Sequence, residues 1–229
     1  MIILENVHKK FGDRVIFENL KASFNPFSLN IITGPSGSGK TTLLRMLRGE
    51  IPADAGRIRV KDKEIGKLRE SSRSLLARSI AMVYQEGNLL DDRSAIENIA
   101  LPLRIAGIHG SALRNKVYEI TEKLEISSLS FINCGDLSGG ERRLISIARA
   151  LAFSPSVILL DEPLANLDKT MRKRISEFLC NLSVNEKILV IWATHDVHEI
   201  ADTVHPYVFT IKNHRLELSQ TIIPSFIEN

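Results

Sequence analysis

The sequence GPSGSGKTT, at residues 34–42, decides the fold of this 229-residue chain. It follows a short apolar run, Leu29–Thr33, and precedes leucines that recur at helical spacing over residues 43–47. The pattern matches G-x-x-x-x-G-K-[ST], in which glycines let successive backbone N–H groups close around a phosphate. The helix after such a loop adds the positive end of its dipole. We therefore predict a strand, a phosphate-binding loop and a helix that begins near Gly39.

All residues of this loop are predicted to bind the phosphates of a nucleotide. They are Gly34, Pro35, Ser36, Gly37, Ser38, Gly39, Lys40, Thr41 and Thr42. The Lys40 ammonium is expected to reach the β- and γ-phosphates, and the Thr41 hydroxyl is expected to coordinate Mg²⁺. A glycine-rich turn with an incidental lysine is the alternative, but the position between an apolar strand and a helix favours phosphate binding.

A second motif, VILLDEP at residues 157–163, places two acids after an apolar run. A continuous apolar run is typical of a strand buried on both faces of a parallel sheet. Asp161 is expected to bind Mg²⁺, either directly or through another ligand. Glu162 suits the general base that polarises the attacking water. Adjacent acids are common on surfaces, but beside a phosphate loop they indicate a nucleoside triphosphatase.

Two single polar residues also follow predicted strands. Gln85 follows the strand over 79–84, where its amide is expected to contact the metal or the attacking water. His195 follows the strand Ile188–Ala193 and is expected to face the same crevice, because the carboxyl ends of parallel strands share one edge.

The sequence LSGGE, at residues 137–141, begins a predicted helix. Its serine is a good N-cap, and its exposed amides would form a second phosphate-binding surface. Since the terminal phosphate already has its own loop, this second surface implies a second subunit.

Short β-branched runs alternate with helical patterns along the rest of the chain, which predicts an α/β fold with a parallel sheet. Ile2–Val7 and Val15–Phe24 are predicted strands of an N-terminal β-rich lobe. The spacing of apolar residues is helical from about 89 to 126, with a loop expected at 107–110.

The order of these motifs, with ANLD at residues 165–168 between the two acids and His195, resembles the ATP-binding subunits of ABC transporters. The resemblance covers the whole chain, so we expect residues 1–229 to form one ABC ATPase domain. It implies a RecA-like P-loop ATPase core, an antiparallel β-subdomain and an inserted α-helical subdomain over about 89–149.

The resemblance also implies a mechanism. Two subunits would form a head-to-tail homodimer that closes on ATP and Mg²⁺, hydrolyses the ATP and reopens. Ser138, Gly139 and Gly140 would bind the ATP held by the other subunit, and Asp168 would help to connect the two sites.

Two other residues take roles from the resemblance alone. His195 would contact the γ-phosphate. Phe11 matches the aromatic residue that stacks on adenine in this family, and a core position in the β-rich lobe is the alternative for it.

Residues 88–108, NLLDDRSAIENIALPLRIAGI, are similar to the branch that contains the cell-division protein FtsE and the lipoprotein-release ATPase LolD, and are nearer to FtsE. Family members receive the coupling helix of a membrane partner in this region. An integral membrane subunit, FtsX-like or another permease, is therefore expected to dock near residues 86–108. The chain would be cytoplasmic and peripheral on the inner face of the membrane. A lipoprotein-release or export transporter and a soluble ABC protein are the alternatives.

Two positions depart from the family pattern. Residues 162–168 read EPLANLD where EPTGNLD is usual, and Leu144 stands where the family usually has an arginine. Neither change removes a phosphate ligand or the general base, so we expect ATP hydrolysis to survive. Turnover and coupling between the two sites stay open.

The composition agrees with a globular protein and excludes several classes. The chain is 44% hydrophobic and 25% charged, which excludes disorder, and its 30 basic and 27 acidic residues leave a net charge of only +3. With aromatics at 6%, no nucleic-acid partner is expected. No run reaches the roughly 18 apolar residues of a membrane span. Cys134 and Cys180 are expected to be buried free thiols.

Overall fold

The computed structural model describes residues 1–197 and 206–221. The predicted domain of residues 1–229 therefore includes two stretches, 198–205 and 222–229, that lie outside the described residues. The proposed bounds of the domain and of its helical subdomain stay a prediction.

The strands of the described residues form two sheets. In chain order they are Ile2–Phe11 (β1), Arg14–Phe24 (β2), Leu29–Thr33 (β3), Ala55–Val60 (β4), Lys63–Glu64 (β5), Ile80–Val83 (β6), Val157–Asp161 (β7), Leu189–Ala193 (β8), Tyr207–Lys212 (β9) and Arg215–Thr221 (β10). The α-helices are Lys40–Leu47 (α1), Glu70–Ser79 (α2), Ala95–Ile105 (α3), Gly110–Lys123 (α4), Gly139–Leu151 (α5) and Lys169–Val184 (α6). None of these helices is long and apolar enough to cross a membrane.

The larger sheet has the strand order β10-β9-β3-β8-β7-β6. The five strands β9, β3, β8, β7 and β6 are parallel, and β10 pairs with β9 in the antiparallel sense. Parallel strands end at one common edge, which we call the carboxyl edge, and open α/β sheets bind their ligands there. The residues that end four of these strands are Thr33, Val83, Asp161 and Ala193.

Both faces of the larger sheet are buried. On β7, Ile158 and Leu160 pack into one hydrophobic cluster, and Val157 and Leu159 pack into the other. The first cluster joins the sheet to helices α3 to α6, and the second joins it to α1 and the smaller sheet. The continuous apolar run of β7 therefore reflects burial on both sides, as predicted.

The smaller sheet is antiparallel, with the order β2-β1-β4-β5. It is the β-rich lobe that the N-terminal sequence predicts. A backbone hydrogen bond of 2.8 Å from Glu18 N to His214 O ties it to the turn between β9 and β10. Cys134 and Cys180 are both buried, and neither forms a disulfide within the described residues.

The helical region begins later than predicted. Residues 88–94 form turns, and α3 starts at Ala95, after Ser94 as a capping-box N-cap. The buried Asn98 side chain holds these turns, because its amide bonds both backbone groups of Leu90 and the Arg93 carbonyl. The predicted loop at 107–110 lies between α3 and α4, as expected.

Candidate functional site

The phosphate loop joins β3 to α1 at the carboxyl edge. The Lys40 side chain is 9% exposed and folds back over the loop, where its ammonium donates to the carbonyls of Gly34 (2.9 Å) and Pro35 (3.4 Å). Gly39 is the N-cap of α1 at φ 103°, and a Cβ there would lie 2.7 Å from Ile16. Only glycine fits this position, since the backbone is left-handed and packed against the β-rich lobe.

The start of α1 suits an anion. The helix has no acidic residue in its first turn and no side-chain cap on its N-terminal amides. Free N–H groups and the positive end of the helix dipole therefore face the loop. Together with the Lys40 ammonium, they supply the charge that a polyphosphate requires.

Thr41 and Asp161 meet across the edge. The Thr41 hydroxyl donates a 2.7 Å hydrogen bond to Asp161 Oδ2. Asp161 is 4% exposed, and burial raises its pKa, although the Thr41 hydrogen bond acts in the opposite direction. Two hard oxygen donors fit Mg²⁺. Within the described residues no cluster of three His, Cys, Asp or Glu side chains occurs, so phosphate and water oxygens would complete the coordination.

Glu162 follows directly but has different surroundings. Its Oε2 lies 3.0 Å from His195 Nδ1, and its Oε1 lies 3.9 Å from Lys40 Nζ. Its backbone has φ 46°, which is a left-handed conformation that is unusual for glutamate. The Glu162 N–H donates to the Ala193 carbonyl at the end of β8, so the strained residue is fixed between two strands. Strain of this kind is concentrated at functional sites.

Most of the catalytic and nucleotide-binding residues predicted for one chain line a single cleft of about 350 Å³. It includes Phe11, Ser36, Gly37, Gly39, Lys40, Thr41, Thr42, Gln85, Asp161 and Glu162. Phe11 is 48% exposed at the end of β1, with Lys9 Nζ 5.1 Å from its ring centroid, so it is not a core residue. His195 is 67% exposed and reaches the cleft through its contact with Glu162. Gly34, Pro35 and Ser38 complete the loop but do not line this cleft.

The LSGG segment is not part of its own chain's cleft, since no residue of 138–140 is among the described residues that line it. Ser138 caps α5, donating to the Glu141 carboxylate at 2.6 Å, and hydrogen bonds from Ser138 lower the pKa of Glu141. A Cβ at Gly139 would meet nothing within 4 Å, whereas one at Gly140 would lie 2.7 Å from Met171. Gly139 thus presents an open surface, and Gly140 is required for packing against α6.

Asp168 also lies apart from the cleft. It is the N-cap of α6 and accepts a 2.9 Å hydrogen bond from Met171 N. Of the residues that depart from the family pattern, Leu144 and Leu164 are buried in the core, whereas Ala165 is half-buried.

Two arginines near the cleft were not predicted. Arg14 lines it and donates to the Gly37 carbonyl at 3.2 Å. Arg143 lies beneath the backbone of Gln85. For Arg14, proximity to Phe11 in the sequence is the one signal available. Arg143 gives no signal in the sequence, because it is one of two adjacent arginines on a helix and such charges are usually exposed.

Comparison with known proteins places this site in a family. The family model for ABC transporters matches residues 17–165. The Fe(3+) ions import ATP-binding protein FbpC of Agrobacterium fabrum is 34% identical over 198 residues, 86% of this chain and 55% of that protein. The sulfate/thiosulfate import ATP-binding protein CysA of Mesostigma viride is 35% identical over 206 residues, 89% of this chain and 58% of that protein.

The chain therefore spans little more than half the length of these curated relatives. Both relatives are import proteins, so the predicted link to cell division or lipoprotein release finds no support in them.

Solved structures share the whole architecture. MJ0796, a dimeric bacterial ABC transporter cassette, superposes with a TM-score of 0.84 at 28% identity, covering 95% of this chain and 97% of that one. It has also been solved as a dimer in a post-hydrolysis state bound to ADP and Pi. CbiO1 of Clostridium perfringens, part of an ABC transporter complex, gives 0.86 at 25% identity, covering 96% and 88%. The predicted fold class is thus confirmed, and the chain belongs to the ABC transporter family as an ATP-binding domain.

Proposed function

We propose that this chain binds ATP with Mg²⁺, hydrolyses it, and thereby drives a membrane permease. The observation that carries the proposal is the convergence of Lys40, the Thr41–Asp161 pair and the Glu162–His195 pair on one edge of the sheet. A structural role would not require a buried ammonium, a desolvated carboxylate and a strained glutamate in one place.

Binding uses the loop and the start of α1. Backbone N–H groups of the loop hold the phosphates, and Lys40 turns from the Gly34 carbonyl to the β- and γ-phosphates. Phe11 offers an exposed ring for the adenine. Thr41 and Asp161 would hold Mg²⁺, which would neutralise negative charge on the phosphate oxygens.

Hydrolysis is assigned to Glu162. Its carboxylate accepts a proton from water as the water oxygen bonds to the terminal phosphorus, and the bond from that phosphorus to the bridging oxygen breaks with ADP as leaving group. His195 would orient the carboxylate through the 3.0 Å contact and would itself contact the γ-phosphate. Gln85, which lines the same cleft, would supply its amide to the metal or the attacking water.

The active form is proposed to be a head-to-tail homodimer. Ser138, Gly139 and Gly140 do not line the cleft of their own chain, and Gly139 is open to a second molecule. A phosphate that is held by one chain would then meet the N-terminus of α5 in the other chain. Asp168, at the exposed start of α6, would help to connect the two sites of such a dimer.

The permease is proposed to dock in a groove of about 570 Å³ between α2, β6, α3 and α5. Its apolar wall includes Leu101, Pro102 and Ile105, all within the expected region of residues 86–108. Arg48, Arg78 and Arg149 also line it, and no acidic residue does so among those described. A short permease segment with apolar and acidic side chains complements this surface. Such docking would place the chain at the cytoplasmic face of the membrane.

Glu162→Gln provides the test of the proposed function. Loss of the base should lower kcat by roughly 100-fold or more. It should also trap the ATP-bound dimer, so that sedimentation shows a doubled mass with Mg²⁺ and ATP and a monomer without them. Glu177→Gln, an exposed carboxyl on α6, is the matched control. Steady hydrolysis by Glu162→Gln would contradict the assignment of Glu162 as the base. The same sedimentation mass with and without Mg²⁺ and ATP would contradict the trapped dimer.

The trapped dimer also identifies the partner. When it is used to isolate complexes from native membranes, we expect a multispanning import permease. Isolation of an FtsX-like protein would instead support a function in cell division.

A further inference from the structure

Arg143 is a buried cation on α5 that does not belong to the cleft itself. Its side chain is 8% exposed. One guanidinium nitrogen donates to the carbonyl of Tyr84 at 2.8 Å, and another donates to the carbonyl of Gln85 at 2.6 Å. Two consecutive carbonyls after β6 are thus held by one planar group, which fixes the direction of the chain at Gln85.

The burial of Arg143 is unusual for an arginine and changes its electrostatics. Burial lowers the pKa of the Arg143 guanidinium, and the nearby Asp161 carboxylate opposes that shift. Arginine stays charged in proteins, so its donors must be satisfied where they are. Across the described residues no ion pair includes Arg143, and its recorded partners are the two carbonyls.

The same helix holds the rest of this segment. Ser146 donates to the Gly87 carbonyl at 3.2 Å, and Arg149 donates to the carbonyls of Gly87 (2.6 Å) and Asn88 (2.8 Å). Leu144, which lies between Arg143 and Ser146 in the sequence, is buried among apolar side chains. The segment over 84–88 is therefore attached to α5 at four carbonyls.

Tyr84 fixes the segment from the other side. Its hydroxyl donates to the carboxylate of Glu50, which lies just after α1. Burial is the larger cause and this hydrogen bond the second cause that raise the pKa of Tyr84 to about 12. The backbone beside Gln85 is thus held between the helix of the phosphate loop and α5.

We propose that Arg143 is a positioning residue for hydrolysis, which holds the backbone of Gln85 so that its amide faces the phosphate cleft. The proposal rests on the proposed function of the cleft and of Gln85. Without the guanidinium, the carbonyls of Tyr84 and Gln85 lose their buried donor, and the segment is free to shift. The phosphate loop itself is untouched, so ATP binding should survive.

The first test separates positioning from binding. Arg143→Met should lower kcat by roughly 10- to 100-fold, because small displacements of a catalytic group have effects of that size. KM for ATP should change by less than about threefold, and Arg143→Lys should restore part of the rate. Arg142→Met is the matched control, because Arg142 donates to the Cys134 carbonyl and to Asp91 and not to the backbone carbonyls of Tyr84 and Gln85. An unchanged kcat in Arg143→Met overturns the proposal.

The second test asks whether Arg143 acts through Gln85. In a double-mutant cycle with Gln85→Ala, Arg143→Met should add less than about a twofold further loss of kcat. An equal loss in both backgrounds overturns the proposal.

The third test does not depend on hydrolysis. Amide hydrogen exchange over residues 85–88 should be faster in Arg143→Lys, and in Arg143→Met if that variant folds, than in the wild type and in Arg142→Met. Unchanged exchange overturns the proposal for Arg143. A wild type without ATPase activity would instead overturn the proposed function, and the exchange measurement would still test the contact.

Discussion

At the residue scale, the chemistry of the site depends on two neighbours that differ in environment. Asp161 ends β7 inside the sheet and shares a hydrogen bond with Thr41, whereas Glu162 turns out of the strand toward His195. Burial raises the pKa of Asp161. The chain therefore keeps a carboxylate in a place where water no longer stabilises its charge, and that charge is available to a bound cation.

The buried carboxylate leads to a prediction about stability. Asp161→Asn should raise the melting temperature of the nucleotide-free protein and abolish hydrolysis. Because the folded-state pKa is raised, the folded protein binds more protons than the unfolded chain between the two pKa values. The destabilisation by Asp161 is therefore complete above the raised pKa, and it disappears as the pH falls below the ordinary value. The gain from Asn should be larger near pH 8 than at about pH 4 in thermal denaturation.

A control is available for this comparison. Asp92→Asn removes a carboxyl that is 80% exposed and should leave the melting temperature nearly unchanged at both pH values. A lower melting temperature for Asp161→Asn near pH 8 would contradict the account.

At the element scale, the sequence predicts elements well where one periodic pattern dominates. The strands around the phosphate loop and the two acids, and the helices α1 and α5, lie where the sequence motifs place them. The hairpin of β9 and β10 escaped prediction. Its turn residues, Asn213 and His214, both have positive φ, as a type I′ turn requires, but the familiar signal is Asn-Gly. The start of α3 was placed too early, because the contacts of the Asn98 side chain are not visible in a pattern of apolar residues.

The N-terminus of α5 allows a direct test of the dimer. Gly139→Ala should change the free energy of unfolding by no more than about 0.5 kcal/mol, since the site is open. It should nevertheless weaken ATP-dependent dimerisation, because the new methyl group stands where the partner's phosphate would approach. The measurements are denaturant unfolding of the monomer and sedimentation with Mg²⁺ and ATP.

The neighbouring glycine is the matched comparison. Gly140→Ala should destabilise the monomer by about 1–3 kcal/mol, because its Cβ would overlap Met171. Normal ATP-dependent dimerisation of Gly139→Ala would argue against a partner phosphate at this helix end.

At the scale of the whole molecule, the phosphate cleft and the arginine-lined groove are separate surfaces that meet at two adjacent residues, since Tyr84 lines the groove and Gln85 lines the cleft. Arg149 lines the groove and also donates to the carbonyls of Gly87 and Asn88, which follow Gln85 closely in the chain. The sequence motifs predict most residues of the cleft, but not Arg14. The groove could not be predicted, because it forms between elements that are distant in sequence, and its arginines look like ordinary surface charges.

A charge introduced into the groove should prevent docking. Ile105 is 79% exposed on the apolar wall, and Ile105→Glu should abolish cosedimentation of the purified chain with native membrane vesicles stripped of peripheral proteins. Tyr118→Glu, at a site on α4 that is 66% exposed and outside the groove, should cosediment like the wild type. Equal cosedimentation of both variants would show that the groove is not the docking surface.

The left-handed backbone of Glu162 has a consequence for how this chain can evolve. At φ 46°, glycine or asparagine would fit with less strain than glutamate, just as Asn would fit the buried position of Asp161 better than a carboxylate. A laboratory selection that rewards heat resistance alone should therefore enrich changes at these two adjacent codons and deliver inactive proteins. Retention of the acidic pair through many generations would be a record of selection for turnover rather than for a durable fold.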